Sequence, residues 1–407
     1  MTTLKTKEEL NLEKKPYSLS MLVGAAFLMA TSAIGPGFLT QTAVFTQKYL
    51  ASFSAIILIT IIVDIIVQIN IWRIIVAAGK RGQEIANDVL PGLGYFISLI
   101  VMIGGIAFNI GNIAGTGMGL NTLFGIDARV GAAISGIICI LIFLSKEIGN
   151  AMDRFAQILG VLMILLAVYV AAAAHPPLAQ VAVQTFAPSK FEFLPMITLI
   201  GGSVGGYITF AGGHRLIEGN MKGGAAVGEA TKSATLGILV AGIMRYALFF
   251  GALGIALKGI KFDPVNPAAT PFLNVAGTVG YKIFGLVLWS AAATSVVGCS
   301  FTSLSFIKTF FKPVEEHFSK FIIGFIVFCT LFFILVGKPV TLLILAGAIN
   351  GLILPLTLGS MLLACRNKKI VGDYHHPTLL IVLGILVFIL TLYGGISSLS
   401  GINQLFK

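Results

Sequence analysis

The groups in this sequence best suited to chemistry are backbone amides and carbonyls, not charged side chains. Two long apolar segments are each interrupted by glycine. The first reads Ala33-Ile34-Gly35-Pro36-Gly37-Phe38, and the second, in the other half of the chain, Gly201-Gly202-Ser203-Val204-Gly205-Gly206-Tyr207. A helix in lipid cannot leave N–H and C=O groups unpaired, so unwound backbone at that depth is tolerated only where it lines an interior cavity. A matched pair of such interruptions in two halves of a chain points to the midplane binding site of a secondary transporter. The half-helix starting after each break presents the positive end of its dipole, which suits an anionic group.

Neutral hydrogen-bonding side chains cluster around the breaks. Ser32, Thr40, Gln41, Ser203, Tyr207 and Thr209 lie close to Gly35, Pro36, Gly37, Phe38, Gly205 and Gly206 in sequence. Neither break contains Asp, Glu, His, Cys or Met. A desolvated divalent cation wants charged oxygen or nitrogen ligands, so no metal site is expected there. Asn109, Asn112, Thr294, Ser295 and Asn350 are polar groups inside other apolar runs, either lining the same cavity or bonding to a neighbouring helix. Asp64 and Arg245 are charges deep within apolar spans, which makes them candidates for coupling or gating as well as for a structural ion pair. Arg73, near a helix end, is expected to snorkel, and His214, Arg215 and Glu218 read as a solvated helix end. Cys139, Cys299, Cys329 and Cys365 show no CxxC spacing and read as buried, inert thiols.

These groups need elements to hold them, and composition says which. The chain of 407 residues is 57% hydrophobic and 11% charged. Eleven segments are long and apolar enough to cross the hydrocarbon core: 20–43, 52–77, 93–123, 128–145, 155–174, 194–213, 233–257, 280–307, 320–337, 340–364 and 377–397. The expected fold is therefore an all-α integral membrane protein in a lipid environment, with little chain left for a soluble domain. A stretch with Pro176, Pro177, Pro188 and Pro195 separates the first five spans from the next five. An odd number of helices per half forces inverted topology, with a broken helix opening each half.

The organisation expected is a cytoplasmic tail over 1–19, a first repeat over 20–174 and an extracellular connection over 175–193. A second repeat over 194–365 follows, and then a loop, span 11 and a short terminus over 366–407. The net charge of +11 reads as topology, not as a nucleic-acid footprint. With the N-terminus inside, seventeen Lys and Arg residues fall on cytoplasmic segments and eight on extracellular ones, so the protein is expected in the cell membrane with its C-terminus outside. In the third span, Gly111, Gly115 and Gly119 lie four apart on one face, a pattern for close helix packing. No cofactor is expected, and the sequence carries no HExxH, no pair of deep aspartates and no serine–histidine constellation in its spans, so a membrane enzyme is not expected.

The segments "GAAFLMATSAIGPGFLTQTA", "IWRIIVAAGKRGQEIAND", "NIAGTGMGLNTLFGID", "LIGGSVGGY" and "AINGLILPLTL" resemble the NRAMP (natural resistance-associated macrophage protein) family of proton-coupled divalent-metal transporters. That resemblance implies an inverted repeat of eleven or twelve helices with the substrate between the first and sixth. It also exposes departures. The family's Asp-Pro-Gly-Asn stands here as Gly35-Pro36-Gly37-Phe38, its Met-Pro-His as Gly205, Gly206 and Tyr207, and its acidic third-helix positions as Asn109 and Asn112. The expectation is an inherited scaffold with a changed substrate: a small neutral or anionic organic solute, coupled to H⁺ or Na⁺. Similarity to family branches encoded beside 5-oxoprolinase makes 5-oxoproline the specific candidate. The alternative is a divalent cation (Mn²⁺, Fe²⁺ or Mg²⁺) held hydrated in an altered site.

Overall fold

A computed structural model of the chain describes residues 34–308 and 310–402. The tail over 1–19, the first part of the first span and Ser32 lie outside these residues. The described elements are all helical: α1 (Pro36–Tyr49), α2 (Phe53–Ala78), α3 (Gly82–Val89), α4 (Leu93–Phe124), α5 (Ala128–Leu144), α6 (Lys146–Ala173), α7 (Leu178–Phe186), α8 (Phe193–Val204), α9 (Gly206–Glu218), α10 (Val227–Ala256), α11 (Ala269–Lys308), α12 (Lys312–Glu316), α13 (Phe318–Val336), α14 (Pro339–Ala364), α15 (Lys368–Val371) and α16 (Thr378–Ile402). Nine stretches of the described chain are long and apolar enough to cross a membrane; Pro36–Ala78 holds both α1 and α2, and Phe193–Glu218 holds α8 and α9. The apolar α5 is shorter, at 17 residues.

Several boundaries move from the sequence reading, each for a local reason. Helix α6 begins at Lys146, well before 155, because the Ser145 hydroxyl caps it by accepting from the Ile148 amide at 3.3 Å. Helix α11 begins at Ala269 and bends at Gly277, whose φ of 63° only glycine adopts without strain. The proline-rich connection is not all loop, since it carries α7.

Equivalent elements of the two halves pair with each other. The most extensive contacts are α4 with α11, and α2 packs along α10. Helix α14 lies against both α8 and α4. In lipid the solvent is as apolar as leucine, so helices associate through close contact of small residues more than through the hydrophobic effect. The α8–α14 contact shows this directly. A Cβ on Gly201 would overlap the Gly347 carbonyl, and one on Gly351 would overlap the Ile197 carbonyl. The three glycines of α4 each meet a different partner: Gly111 faces Leu343, Gly115 faces Pro36 and Gly119 faces Trp289.

Candidate functional site

The described residues show a helix start at the first expected position and a full interruption at the second. Gly35 is extended (φ −91°, ψ −179°) and α1 starts at Pro36, whose ring suits the first helical position and whose missing N–H leaves no orphan there. The Leu39 amide donates to the Gly35 carbonyl at 3.2 Å, closing the first turn of the helix. Gly205 (φ −52°, ψ 161°) separates α8 from α9, and the Thr209 amide closes the first turn onto its carbonyl at 3.0 Å. Glycine is required at the second break by proximity, because a Cβ on Gly205 would lie 2.6 Å from Asn350 Cβ and one on Gly206 2.5 Å from Ile353 Cγ2.

Side chains fill the space between the breaks, and one of them is charged. The Arg245 guanidinium lies 4.1 Å from the centre of the Phe38 ring, and its Nη2 donates to Ser203 Oγ at 3.2 Å. Arg245 is 2% exposed and its Nε has no partner. The expectation of a site made only of dipoles and neutral groups therefore needs correction, since an arginine from α10 bridges the residue after the first break and a residue of the second. Asp64, on α2, is 4% exposed, interacts electrostatically with Arg245 and Ser203, and leaves Oδ1 unpartnered. No nitrogen–oxygen contact within 4.0 Å joins Asp64 to Arg245 among the described ion pairs. A tight structural salt bridge is not what holds these two charges.

The remaining candidates divide by what their polar atoms do. Gln41 donates from Nε2 to the Leu343 carbonyl at 3.1 Å and leaves Oε1 unpartnered beside Gly202. Asn109 donates to Ser300 Oγ at 3.0 Å, while its Oδ1 and the Asn112 Nδ2 are buried without partners. Thr40 Oγ1 is likewise buried and unpartnered. By contrast, the Thr209 hydroxyl serves the break itself, donating to the Val204 carbonyl and the Gly205 carbonyl. The Tyr207 hydroxyl donates to the Cys299 carbonyl at 3.3 Å, with its ring between Phe108 and Phe306. Asn350 donates to the Gly104 and Ala346 carbonyls at 3.0 Å each, and Thr294 to carbonyls of its own helix. Thr209, Tyr207 and Thr294 are structural where they stand, whereas Asn350 keeps a buried, unpartnered Oδ1.

Arg73, half-buried, donates to the Tyr374 hydroxyl at 2.8 Å and to Thr231 at 2.9 Å. One peripheral reading changes. His214 is not solvated: it is 2% exposed, with neither ring nitrogen partnered. Arg245 over Phe38 and the burial of His214 were both missed because each depends on contacts between distant segments. No group of three or more His, Cys, Asp or Glu residues that could hold a metal occurs among the described residues.

A multi-pass helical membrane protein with a broken helix facing a second helix start has the architecture of a transporter, and comparison with known proteins gives the family. The family model described as natural resistance-associated macrophage protein-like matches residues 26–399, so the chain belongs to the Nramp family of transporters. It is 57% identical over 386 residues to the uncharacterized membrane protein YcsG of Bacillus subtilis, covering 95% of this chain and 96% of that one. The divalent metal cation transporter MntH of Caldanaerobacter subterraneus is 22% identical over 388 residues, with 91% of each chain covered. A crystal structure of a mutant Eremococcus coleocola manganese transporter superposes with a TM-score of 0.71 at 16% identity, covering 96% of this chain and 89% of that one.

Proposed function

We propose that this protein is a secondary active transporter of a small organic anion, a monocarboxylate of the kind represented by 5-oxoproline, driven by protons through Asp64. The observation that carries the reading is the buried Arg245 held between the two breaks by Phe38 and Ser203. A guanidinium beside two helix starts is a carboxylate receptor, and it repels the divalent cations that the relatives' names suggest. The unpartnered Gln41 Oε1 and Asn112 Nδ2 supply the acceptor and donor that a lactam amide needs. In a divalent-cation transporter the same positions would carry ionised ligands.

Coupling follows from counting buried charge. The empty site holds one cation, Arg245, and one anion, Asp64, both in lipid-depth surroundings where an uncompensated charge is costly. An arriving carboxylate makes two anions share one guanidinium. Protonating Asp64 restores neutrality, which gives one proton moved with each anion. The test is uptake of labelled 5-oxoproline and related acids into proteoliposomes under an imposed H⁺ or Na⁺ gradient. Accumulation under the proton gradient is expected; no accumulation above empty vesicles for any of these acids removes the proposal. Micromolar calorimetric binding of Mn²⁺ or Mg²⁺, lost on substitution at Gly35 or Gly205, would favour the cation reading instead.

A further inference from the structure

A cavity of about 300 Å³ lies between α9, α11 and α5, away from the paired breaks. That is the lower end of the roughly 300–1,000 Å³ typical of small-molecule clefts. Its wall includes His214, Arg215 and Glu218 of α9 and Thr302 and Ser305 of α11. One layer of rings separates it from the second break: the His214 ring is 4.4 Å from Phe306, which is 6.2 Å from Tyr207.

The polar groups of this wall are unevenly satisfied. Glu218 is engaged, with Arg81 Nη2 at 3.4 Å from its Oε1. The Thr302 and Ser305 hydroxyls donate to carbonyls of their own helix, at 2.8 and 2.7 Å, and so offer only lone pairs outward. The Arg215 guanidinium lies against α11, where a Cβ on Gly298 would be 3.4 Å from Nη2. The acidic group acting on it is the exposed Asp153 of α6. His214 is nine-tenths buried and more, yet both of its ring nitrogens lack partners. A buried imidazole with two open nitrogens calls for a partner in the cavity, water or ligand, because leaving such groups unpaired is costly.

We infer that this cavity is a second binding site for a small carboxylate, with Arg215 pairing the anion and His214 donating to it through one ring nitrogen. It rests on the organic-anion reading for the identity of the solute that passes through, and would serve as a way-station on one side of the Tyr207–Phe306 ring layer. Its sign of charge can be tested without knowing the substrate.

The experiment places a cysteine in the wall of the purified full chain, Ala211→Cys. Its modification rates with an anionic sulfonatoethyl and a cationic trimethylammonioethyl methanethiosulfonate are then compared. The four native cysteines are buried, and the unsubstituted chain gives the background. Rates are normalised to those of free 2-mercaptoethanol. The expected normalised preference for the anionic reagent is about tenfold, equivalent to about 1.4 kcal/mol between the two reagents. Arg215→Gln should collapse the preference towards one, and Arg215→Lys should keep it while confirming that the fold survives. Acetate should slow modification in the Arg215 chain and not in Arg215→Gln. Absence of either effect overturns the proposal. Failure of 5-oxoproline uptake leaves these ratios untouched, so the two readings fail separately.

Discussion

At the residue scale, the arrangement around Arg245 separates contributions that a simple deletion would mix. Its guanidinium stacks on Phe38 and donates to Ser203, and a desolvated cation–π contact of this kind contributes about 2 kcal/mol. Arg245→Gln keeps a donor for Ser203 and removes the charge, so anion affinity should fall by roughly ten- to a hundredfold, the weight of a charge-assisted hydrogen bond. Arg245→Lys keeps the charge but loses the flat face over Phe38, and should fall between the two. Calorimetry with 5-oxoproline orders the three proteins; equal affinities would remove Arg245 from the site. Asp64→Asn makes a different prediction. It fixes the neutral form, so binding should persist while accumulation loses its dependence on the proton gradient. Uptake with and without that gradient checks this, and an Asp64→Asn protein that still concentrates solute on the gradient would exclude Asp64 as the proton carrier.

At the element scale, glycines set how closely helices approach, and the effect can be read position by position. A Cβ on Gly115 would overlap the Pro36 ring, so Gly115→Ala must push α4 away from the start of α1. Overpacking of this kind costs about 1–3 kcal/mol and should lower both the melting temperature and the uptake rate. Gly324 in α13 has nothing near its would-be Cβ, so Gly324→Ala should be neutral or slightly stabilising in the same melting experiment. A second element-level device is the segment before α16. Arg73 donates to the Tyr374 hydroxyl, which lies 3.0 Å from His376 Nδ1, and His376 Nε2 lies 2.9 Å from Asn70 Oδ1. This chain of bonds is complete with a neutral imidazole. Burial and the neighbouring Arg73 charge push the His376 pKa down from 6.5 to about 4. The unfolded form therefore binds the extra proton first as pH falls. The stabilisation is whole above 6.5 and lost progressively as pH drops towards 4. Thermal melts at pH 7 and pH 5 should differ for the native chain, and the difference should shrink for His376→Gln.

At the scale of the whole molecule, what the sequence revealed was what is local. The helix start at Pro36 and the break at Gly205 were legible because Gly35, Pro36 and Gly205 act through their own dihedrals and missing atoms. The spans were legible because lipid selects long apolar runs. Helix α7 was not, because nine amphipathic residues between prolines look like loop, and neither was the arginine between the breaks, because α1, α8 and α10 meet only in three dimensions. The same distinction applies to orientation, which only the charge count suggests, while the contacts show which residues share an end. Arg81–Glu218, the Gly223 amide on the Val76 carbonyl and Arg73 on Tyr374 and Thr231 gather one set of connections at one end of the bundle. Lys48–Glu192, Ser52 on Gln184 and Lys282 on the Thr122 carbonyl gather the others at the opposite end. The first end carries most of the Lys and Arg residues, so it should face the cytoplasm. Lys222 and Lys190 are exposed on the two ends. In intact cells a membrane-impermeant thiol reagent should label Lys190→Cys and spare Lys222→Cys until the membrane is opened. The reverse pattern would invert the protein and place the His214–Arg215 cavity on the extracellular side, since that cavity is lined by Glu218 at the Arg81 end.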